Sequence, residues 1–194
     1  MKRNFFIFIL FTIFFSGKLS AQEIESINEL IKNIESADDS VKINLLLELS
    51  DLYFYNEKID KAIITCEKAT LLADSIENNL QYIDCLNRLS ILYYNTNQFQ
   101  KGLDLLDIAK KIAIKYNYKV ELIRIYSNIG AIYDVQSQFE KALSYYFPAK
   151  ELSIQINDED KLAASLMNIS NVYAQLGKYN DAIPLILDAI KIEQ

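Results

Sequence analysis

Apolar and small residues recur along the chain at the spacing of helix faces. One set lies at positions i, i+3, i+4 and i+7, and it consists of Leu86, Leu89, Ser90 and Tyr93. A second set follows the polar residues 95–98, and it consists of Gly102, Leu106 and Ala109. Side chains at these spacings share one face of an α-helix, whereas short polar clusters favour turns. The pattern therefore predicts a helix, a tight turn and a second helix.

The same pattern occurs four times, forty residues apart, without insertion or deletion. The aligned positions are Leu49, Leu89, Ile129 and Ile169; Tyr53, Tyr93, Tyr133 and Tyr173; Ala62, Gly102, Ala142 and Ala182; and Ala69, Ala109, Ala149 and Ala189. A fixed period of this size is typical of stacked helical units, each of which buries one face against the next. We therefore predict an all-α fold, an antiparallel helix-pair solenoid with repeats at 41–78, 79–118, 119–158 and 159–194.

A further helix is predicted before the first repeat. Ser26 and Glu29 have the spacing of a capping box, in which both side chains satisfy backbone N–H groups at a helix start. The end units of a solenoid need a solvated outer face. Residues 22–40 are therefore interpreted as an N-terminal capping helix.

The aligned residues resemble the tetratricopeptide repeat (TPR), whose pattern is an aromatic residue, Leu-Gly, Tyr, then Ala and Phe. In the third repeat the matching residues are Tyr126, Ile129, Gly130, Tyr133, Ala142, Tyr146 and Ala149. The resemblance covers residues 41–194 and implies a TPR superhelix that binds protein segments. The chain departs from the pattern because it has no Trp, has serine for glycine in three repeats, and lacks the terminal proline.

The repeat is also longer than the 34 residues of the common TPR. Six additional residues at about 1.5 Å each predict a second helix, or an exit turn, that is longer by roughly 9 Å. Gly130 and Ala142 are expected to let two antiparallel helices approach closely at their crossing. Long-period arrays of this kind resemble the sensory input regions of exported bacterial regulators.

The first 21 residues have a different character. Lys2 and Arg3 precede an apolar run from Phe5 to Phe15, and the small residue Ala21 follows shortly afterwards. This run is too short to span a bilayer core of about 30 Å, and its flanks are typical of a secretory signal peptide. We predict a signal peptide at 1–21 and a periplasmic or extracellular mature chain; a buried N-terminal helix is the alternative.

The charge balance narrows the range of partners. Removal of residues 1–21 takes away three basic residues and no acidic ones, so 20 Lys and Arg become 17 against 26 Asp and Glu, a net charge of −9. Binding to phosphate backbones or anionic lipid surfaces needs clustered basic residues. We therefore expect neither nucleic acid nor a membrane surface as a partner, and no later apolar run is long enough for a membrane anchor.

No motif for catalysis, cofactor binding or metal binding is evident. The chain has no His, and it lacks a Gly-rich phosphate loop, a nucleophile elbow and a cluster of metal ligands. The acidic residues fit solvated helix faces. We expect a protein without enzymatic activity, cofactor or metal.

Cys66 and Cys85 are the two cysteines of the chain. Export would permit a disulfide between them, and neighbouring helices could bring them within about 6 Å. Two buried free thiols are the simpler expectation, because Cys66 aligns with the core positions Leu106 and Tyr146.

The TPR resemblance implies a ligand groove lined by residues of the first helix of each repeat. The principal positions carried over to this chain are Phe54, Tyr55, Asn87, Ile91, Tyr94, Arg124 and Asp134. TPRs that clamp a terminal carboxylate use Lys and Asn where this chain has Leu47 and Asp51, so that ligand class is disfavoured. The aromatic residues could anchor a peptide or helix, or they could merely cover the first layers of the solenoid.

The last predicted helix carries Ile183, Leu187 and Ile190 on a stripe that is mixed in the inner repeats. An exposed apolar stripe is unfavourable by about 25 cal/mol per Å². We expect it to be covered, and further repeats or an output domain are favoured over self-association.

The sequence thus favours a non-catalytic scaffold of the cell envelope that binds a protein or peptide. Two alternatives stay open: the sensory input part of a larger exported regulator, and an accessory protein for glycan binding or surface assembly.

Overall fold

A computed structural model describes residues 21–192, with side chains from residue 25 onward. The predicted signal peptide lies outside these residues except for Ala21. Across the described part the chain forms nine helices and no strand: α1 (Ala21–Ser36), α2 (Asp39–Tyr55), α3 (Ile59–Ser75), α4 (Asn79–Asn95), α5 (Phe99–Lys115), α6 (Lys119–Val135), α7 (Phe139–Gln155), α8 (Glu159–Gln175) and α9 (Tyr179–Ile192). The predicted all-α helix-pair fold is confirmed.

Helices α2 to α8 have the same length, 17 residues each. The expectation that the second helix or its exit turn alone takes up the additional residues is therefore wrong. The same short connection follows both the first and the second helix of a pair, so each repeat is divided into two equal halves. The additional residues are shared by both helices.

Each of the seven connections between α2 and α9 is a Schellman turn. After α2, the N–H of Lys58 donates to the carbonyl of Tyr53 at 2.8 Å, and the N–H of Glu57 donates to that of Phe54 at 3.0 Å. Such a turn needs one residue with left-handed backbone angles, a region that favours glycine. Those residues are Glu57, Glu77, Asn97, Asn117, Ser137, Asn157 and Gly177.

Substitution of the left-handed Glu77 by glycine is expected to stabilise the fold. Its φ of 55° is unfavourable for a side chain with a Cβ atom, and Glu77 is exposed. Glu77→Gly should raise the free energy of unfolding by up to about 1 kcal/mol, measured by urea denaturation. Glu77→Ala is the control, because alanine keeps the Cβ atom. An equal gain from both variants would contradict a backbone origin.

Each helix packs against the next one along the chain, and the first helices α2, α4, α6 and α8 also contact one another in series. The aligned alanines Ala69, Ala109 and Ala149 are fully buried. At the N-terminal end, Ile27 and Leu30 of α1 pack against Leu49 of α2. Helix α1 thus covers α2. None of the described helices is long and apolar enough to cross a membrane.

The aligned tyrosines serve a role that the sequence pattern did not indicate. A lysine ammonium lies over the ring of Tyr53, Tyr93 and Tyr133 in successive repeats, at 5.6, 5.1 and 5.2 Å from the ring centroid. The lysines are Lys61, Lys101 and Lys141. Each contact joins the first and second helix of one repeat by a cation–π interaction.

Candidate functional site

Two adjoining cavities open on the face formed by α2, α4 and α6. One encloses about 270 Å³ and is lined by Ser50, Asp51, Phe54, Tyr55, Arg88, Ile91, Leu92 and Arg124. The other encloses about 210 Å³ and is lined by Ser90, Ile91, Tyr94, Asn95, Asn128, Ala131 and Ile132. Ile91 belongs to both, so the cavities form one continuous depression, called the groove below.

Aromatic and aliphatic side chains supply the apolar part of the groove. Tyr55 is 79% exposed at its rim and Ile91 is 42% exposed at its centre. Phe54 contacts Tyr55 edge-on with ring centroids 5.9 Å apart. Tyr94 is half-buried and contacts Phe99 edge-on at 6.0 Å. Phe54 and Tyr94 are half-buried, so Tyr55 and Ile91 present the most free apolar surface.

A chain of ion pairs links the three helices beside the groove. Arg88 of α4 pairs with Asp51 of α2 at 2.6 Å and with Asp84 at 3.0 Å. Arg124 of α6 pairs with the same Asp84 at 2.7 Å and with Glu121 at 3.0 Å. These half-exposed pairs contribute modestly to stability. Two of them connect neighbouring first helices, α2 with α4 and α4 with α6.

The ion pairs also determine the charge that the groove presents. Partial burial lowers the pKa of Arg88, but Asp84 and Asp51 outweigh this effect and the net pKa is raised. The guanidinium therefore stays charged. Two arginines are paired with three carboxylates, so the groove offers no excess positive charge to an anionic ligand.

Asn87 is a correction to the predicted groove. Its side chain is fully buried, with Oδ1 accepting a hydrogen bond from Nδ2 of Asn128 at 3.2 Å. Leu47, at the aligned position in α2, is buried too. The helices pack so closely side by side that this position lies between them. The next residue, Arg88, lines the groove instead.

Replacement of Asn87 by leucine is expected to stabilise the protein. The Nδ2 atom of Asn87 is buried without a hydrogen-bond partner, which is unfavourable by about 1–3 kcal/mol. Asn87→Leu should raise the free energy of unfolding by about 1 kcal/mol, measured by urea denaturation. Asn128 is only half-buried, so water can replace its lost acceptor. Asn128→Leu is the control, because it removes the donor to Asn87 and leaves the unpaired Nδ2 of Asn87 in place. A loss of stability in Asn87→Leu would show that the Asn87 amide has another partner.

The remaining predicted residues do not all come together. Phe54, Tyr55, Ile91 and Arg124 line one cavity, and Tyr94 lines the adjoining one with Ile91. Asp134 lies apart, where it accepts a hydrogen bond from Gln175 of α8 at 2.9 Å. Arg88 was missed in the sequence, although its spacing of four residues from Asp84 is a signal for an ion pair on a helix.

The two cysteines are free and buried, so the structure does not contain the disulfide that export would permit. The Sγ of Cys66 points to the carbonyl oxygen of Cys85 at 3.7 Å. Burial raises the pKa of Cys66, and burial together with Asp84 raises the pKa of Cys85 to about 12. Both thiols are therefore unreactive in the folded protein.

Within residues 25–192, no cluster of Cys, Asp and Glu side chains has the arrangement of a metal site. The acidic residues near the groove are paired with arginines, as described above. The groove itself presents apolar side chains and the amide groups of Asn95 and Asn128.

A second surface of interest lies on α9. Ile183, Leu187 and Ile190, called the α9 stripe below, are 54%, 52% and 44% exposed. Ala182 and Ala189, on a neighbouring face of the helix, are buried, and Ala189 packs with Ala163 and Leu166 of α8. The α9 stripe is thus an apolar surface separate from the groove.

Comparison with known proteins identifies the repeat type. Two family models, both described as tetratricopeptide repeat, match residues 43–75 and 121–193. No curated protein matches the chain significantly in sequence.

Solved structures share the fold at low sequence identity. BtubC from P. vanneervenii superposes with a TM-score of 0.77 at 15% identity, over 89% of this chain and 74% of that one. A Rap protein complexed with competence and sporulation factor superposes with a TM-score of 0.76 at 16% identity, over 89% of this chain and 51% of that one. A STAND signal-transduction ATPase with a tetratricopeptide repeat sensor, from Pyrococcus horikoshii, superposes with a TM-score of 0.76 at 19% identity, over 89% of this chain and 27% of that one. The chain thus spans about half of the Rap protein and a quarter of the ATPase.

Proposed function

Since this chain carries tetratricopeptide repeats, we propose that it is a non-catalytic scaffold whose groove binds a segment of another protein. The observation that carries this proposal is the continuity of the groove across α2, α4 and α6. Exposed Tyr55 and Ile91 lie along one path, with no other described element packed over them. Exposed aromatic and aliphatic side chains in a depression are typical anchors of an interface.

The chemistry of the groove favours a particular kind of segment. The smaller cavity, of about 210 Å³, has room for one large apolar side chain beside Ile91 and Tyr94. Asn95 and Asn128 next to it can bond to the backbone of an extended segment. Because three carboxylates outnumber two arginines, the proposed ligand is an apolar segment that is neutral or basic.

We also propose that the protein is exported and acts in the cell envelope. The basic start and short apolar run of residues 1–21 support this proposal. A second candidate function is the sensory input of a larger regulator. It is supported by structural similarity to a Rap protein complexed with a factor and to an ATPase with a repeat sensor of this type.

Site-specific photo-crosslinking tests the proposed groove. Tyr55 is replaced by a photoreactive phenylalanine derivative, and the matched position outside the groove is Leu71 on α3, which is 71% exposed. The proposal expects a discrete adduct from position 55 that is absent from position 71 and is lost in the Ile91→Asp variant. The same adducts from both positions, or an adduct that survives Ile91→Asp, would contradict it.

A further inference from the structure

A third cavity, lined by α5, α6 and α7, shares no residue with the groove. It encloses about 490 Å³ and is called the outer cleft below. Its polar lining consists of Gln100, Asp104, Asp107, Lys110, Tyr133 and Tyr145. Within the described chain α5 and α7 do not contact each other, whereas the first helices α4 and α6 do. Gln100 and Asp104 are exposed, so the outer cleft is accessible from solvent.

The position of Asp107 is occupied differently in the neighbouring repeats. In the first repeat Glu67 takes its place, and the carboxylate accepts a hydrogen bond from the hydroxyl of Tyr93 at 2.9 Å. In the third repeat Phe147 takes its place, and the ammonium of Lys150 lies 5.7 Å from the centre of the ring. In both repeats the side chain at this position is therefore engaged within the protein.

In the second repeat the corresponding carboxylate turns to other partners. Asp107 is shorter than Glu67 by a methylene group, and it pairs with Lys110 at 3.0 Å and with Lys111 at 2.7 Å. Hydrogen bonds from Lys111 and Lys110 lower the pKa of Asp107, so the carboxylate stays ionised. Among the described residues none accepts a hydrogen bond from the hydroxyl of Tyr133, which aligns with Tyr93. The direct bond of the first repeat is thus replaced by an open cavity.

Tyr145 forms an aromatic wall that the other repeats lack. The aligned residues of the second and fourth repeats are Leu105 and Leu185. The ring of Tyr145 stacks on that of Tyr133 with centroids 5.7 Å apart, and it lies 6.1 Å from the ring of Tyr126. These contacts hold the ring in place before a ligand binds, which reduces the entropy cost of binding.

The outer cleft combines hydrogen-bonding groups of both kinds with a balanced charge. Asp104 accepts a hydrogen bond from Nε2 of Gln100 at 2.8 Å and keeps further acceptor positions free. Asp104 and Asp107 carry two negative charges, and the lysines that pair with Asp107, Lys110 and Lys111, carry two positive ones. A charged ligand of either sign would therefore meet a like charge in the cleft.

We propose that the outer cleft binds a neutral, hydroxyl-rich ligand with the chemistry of a sugar. Sugar hydroxyls both donate and accept hydrogen bonds, as the polar side chains of the cleft do. The C–H groups of a sugar ring can contact the apolar part of the lining, which consists of Leu103, Ile108 and Ile129. The volume of the cleft lies within the range of small-molecule sites, about 300–1,000 Å³.

Fluorine NMR of the chain labelled with 3-fluorotyrosine tests the proposal, with resonances assigned from single tyrosine-to-phenylalanine variants. The probes are cellobiose, maltose, lactose and N,N′-diacetylchitobiose at millimolar concentrations. At least one of these sugars is expected to shift the resonances of Tyr133 and Tyr145 and to leave that of Tyr55, in the groove, unchanged. No shift with any of them, or an equal shift at Tyr55, would overturn the proposal.

Charged probes test the neutrality of the ligand in the same experiment. Glucuronate supplies a sugar with a negative charge, and arginine methyl ester supplies a cation. Both are expected to shift the resonances of Tyr133 and Tyr145 less than the neutral sugar does, because each meets a like charge. A stronger response to either charged probe would overturn the assignment of a neutral ligand.

Two variants of the cleft test its residues. Asp104→Ala is expected to weaken sugar binding at least about tenfold, because hydrogen bonds to a carboxylate are among the strong ones. Tyr145→Leu, followed at the Tyr133 resonance, should weaken it as much, and circular dichroism should show unchanged helicity. Asp74→Ala, which removes an exposed carboxylate of α3, is the matched control and should bind as the unaltered chain does. Sugar binding that neither cleft variant changes would overturn the proposal.

This proposal does not depend on a protein ligand in the groove. Ile91→Asp alters the groove and is expected to leave sugar binding unchanged, whereas Tyr145→Leu is expected to leave the crosslinked adduct from position 55 unchanged. The proposed function and the proposed sugar site can therefore fail separately. A loss of sugar binding in Ile91→Asp would overturn the assignment of the sugar to the outer cleft.

Discussion

Replacement of Gly130 by serine is expected to lower the free energy of unfolding by about 2–3 kcal/mol. A Cβ atom at position 130 would lie 2.5 Å from Cε1 and 2.7 Å from Cδ1 of Tyr146. Tyr146 is only 2% exposed, so its ring has little room to move away. Urea denaturation of Gly130→Ser should show the loss as a lower transition midpoint.

The other repeats provide a rescue for this variant. The second repeat has Ser90 and Leu106 where the third has Gly130 and Tyr146, and both are buried there. Adding Tyr146→Leu to Gly130→Ser should recover at least about 1.5 kcal/mol relative to the sum of the two single losses. Strict additivity would contradict steric coupling between these two positions.

Gly102 is the control for the effect of losing glycine from a helix. A Cβ atom there would meet Ile132 Cδ1 and the carbonyl oxygen of Ser90 at 3.3 Å, which requires only a small shift. Gly102→Ala is therefore expected to change stability by less than about 1 kcal/mol. A loss as large as that of Gly130→Ser would show that any Cβ atom added at a helix crossing is costly, so that the loss is not specific to the Tyr146 contact.

The fold could be predicted from the sequence because the core positions repeat in register. Ala69, Ala109 and Ala149 align and are all fully buried, since small side chains are needed wherever paired helices cross. The equal division of the repeat was missed, because Glu57, Glu77 and Ser137 adopt left-handed angles without being glycine. Their turns are stabilised by backbone hydrogen bonds that leave no strong sequence signal.

The groove was predictable only in part. Positions carried over from a shorter repeat included Ile91, which lines both cavities, but they placed Asn87 at the surface and omitted Arg88. The side-by-side packing of α2, α4 and α6 determines which of two adjacent residues faces outward. The predicted position, Asn87, and the observed one, Arg88, differ by one residue along the helix. The helical periodicity of a single sequence does not show which of two adjacent residues faces the groove.

Ile91→Asp is expected to reduce capture of the proposed partner at least tenfold while the fold stays intact. Ile91 lies in both cavities, so one carboxylate would disturb the apolar contact in each of them. A tenfold loss corresponds to about 1.4 kcal/mol, which is within the range for one anchor residue.

The measurement is the yield of the crosslinked adduct from position 55, together with circular dichroism of each variant. Ile154→Asp on α7 is the matched control, because Ile154 is about as exposed as Ile91 and lies outside the groove. The expected result is unchanged helicity in both variants and loss of the adduct in Ile91→Asp alone. An equal decrease in adduct yield in both variants would show that added charge is the cause. An unchanged yield in Ile91→Asp would show that the partner does not bind on the face formed by α2, α4 and α6.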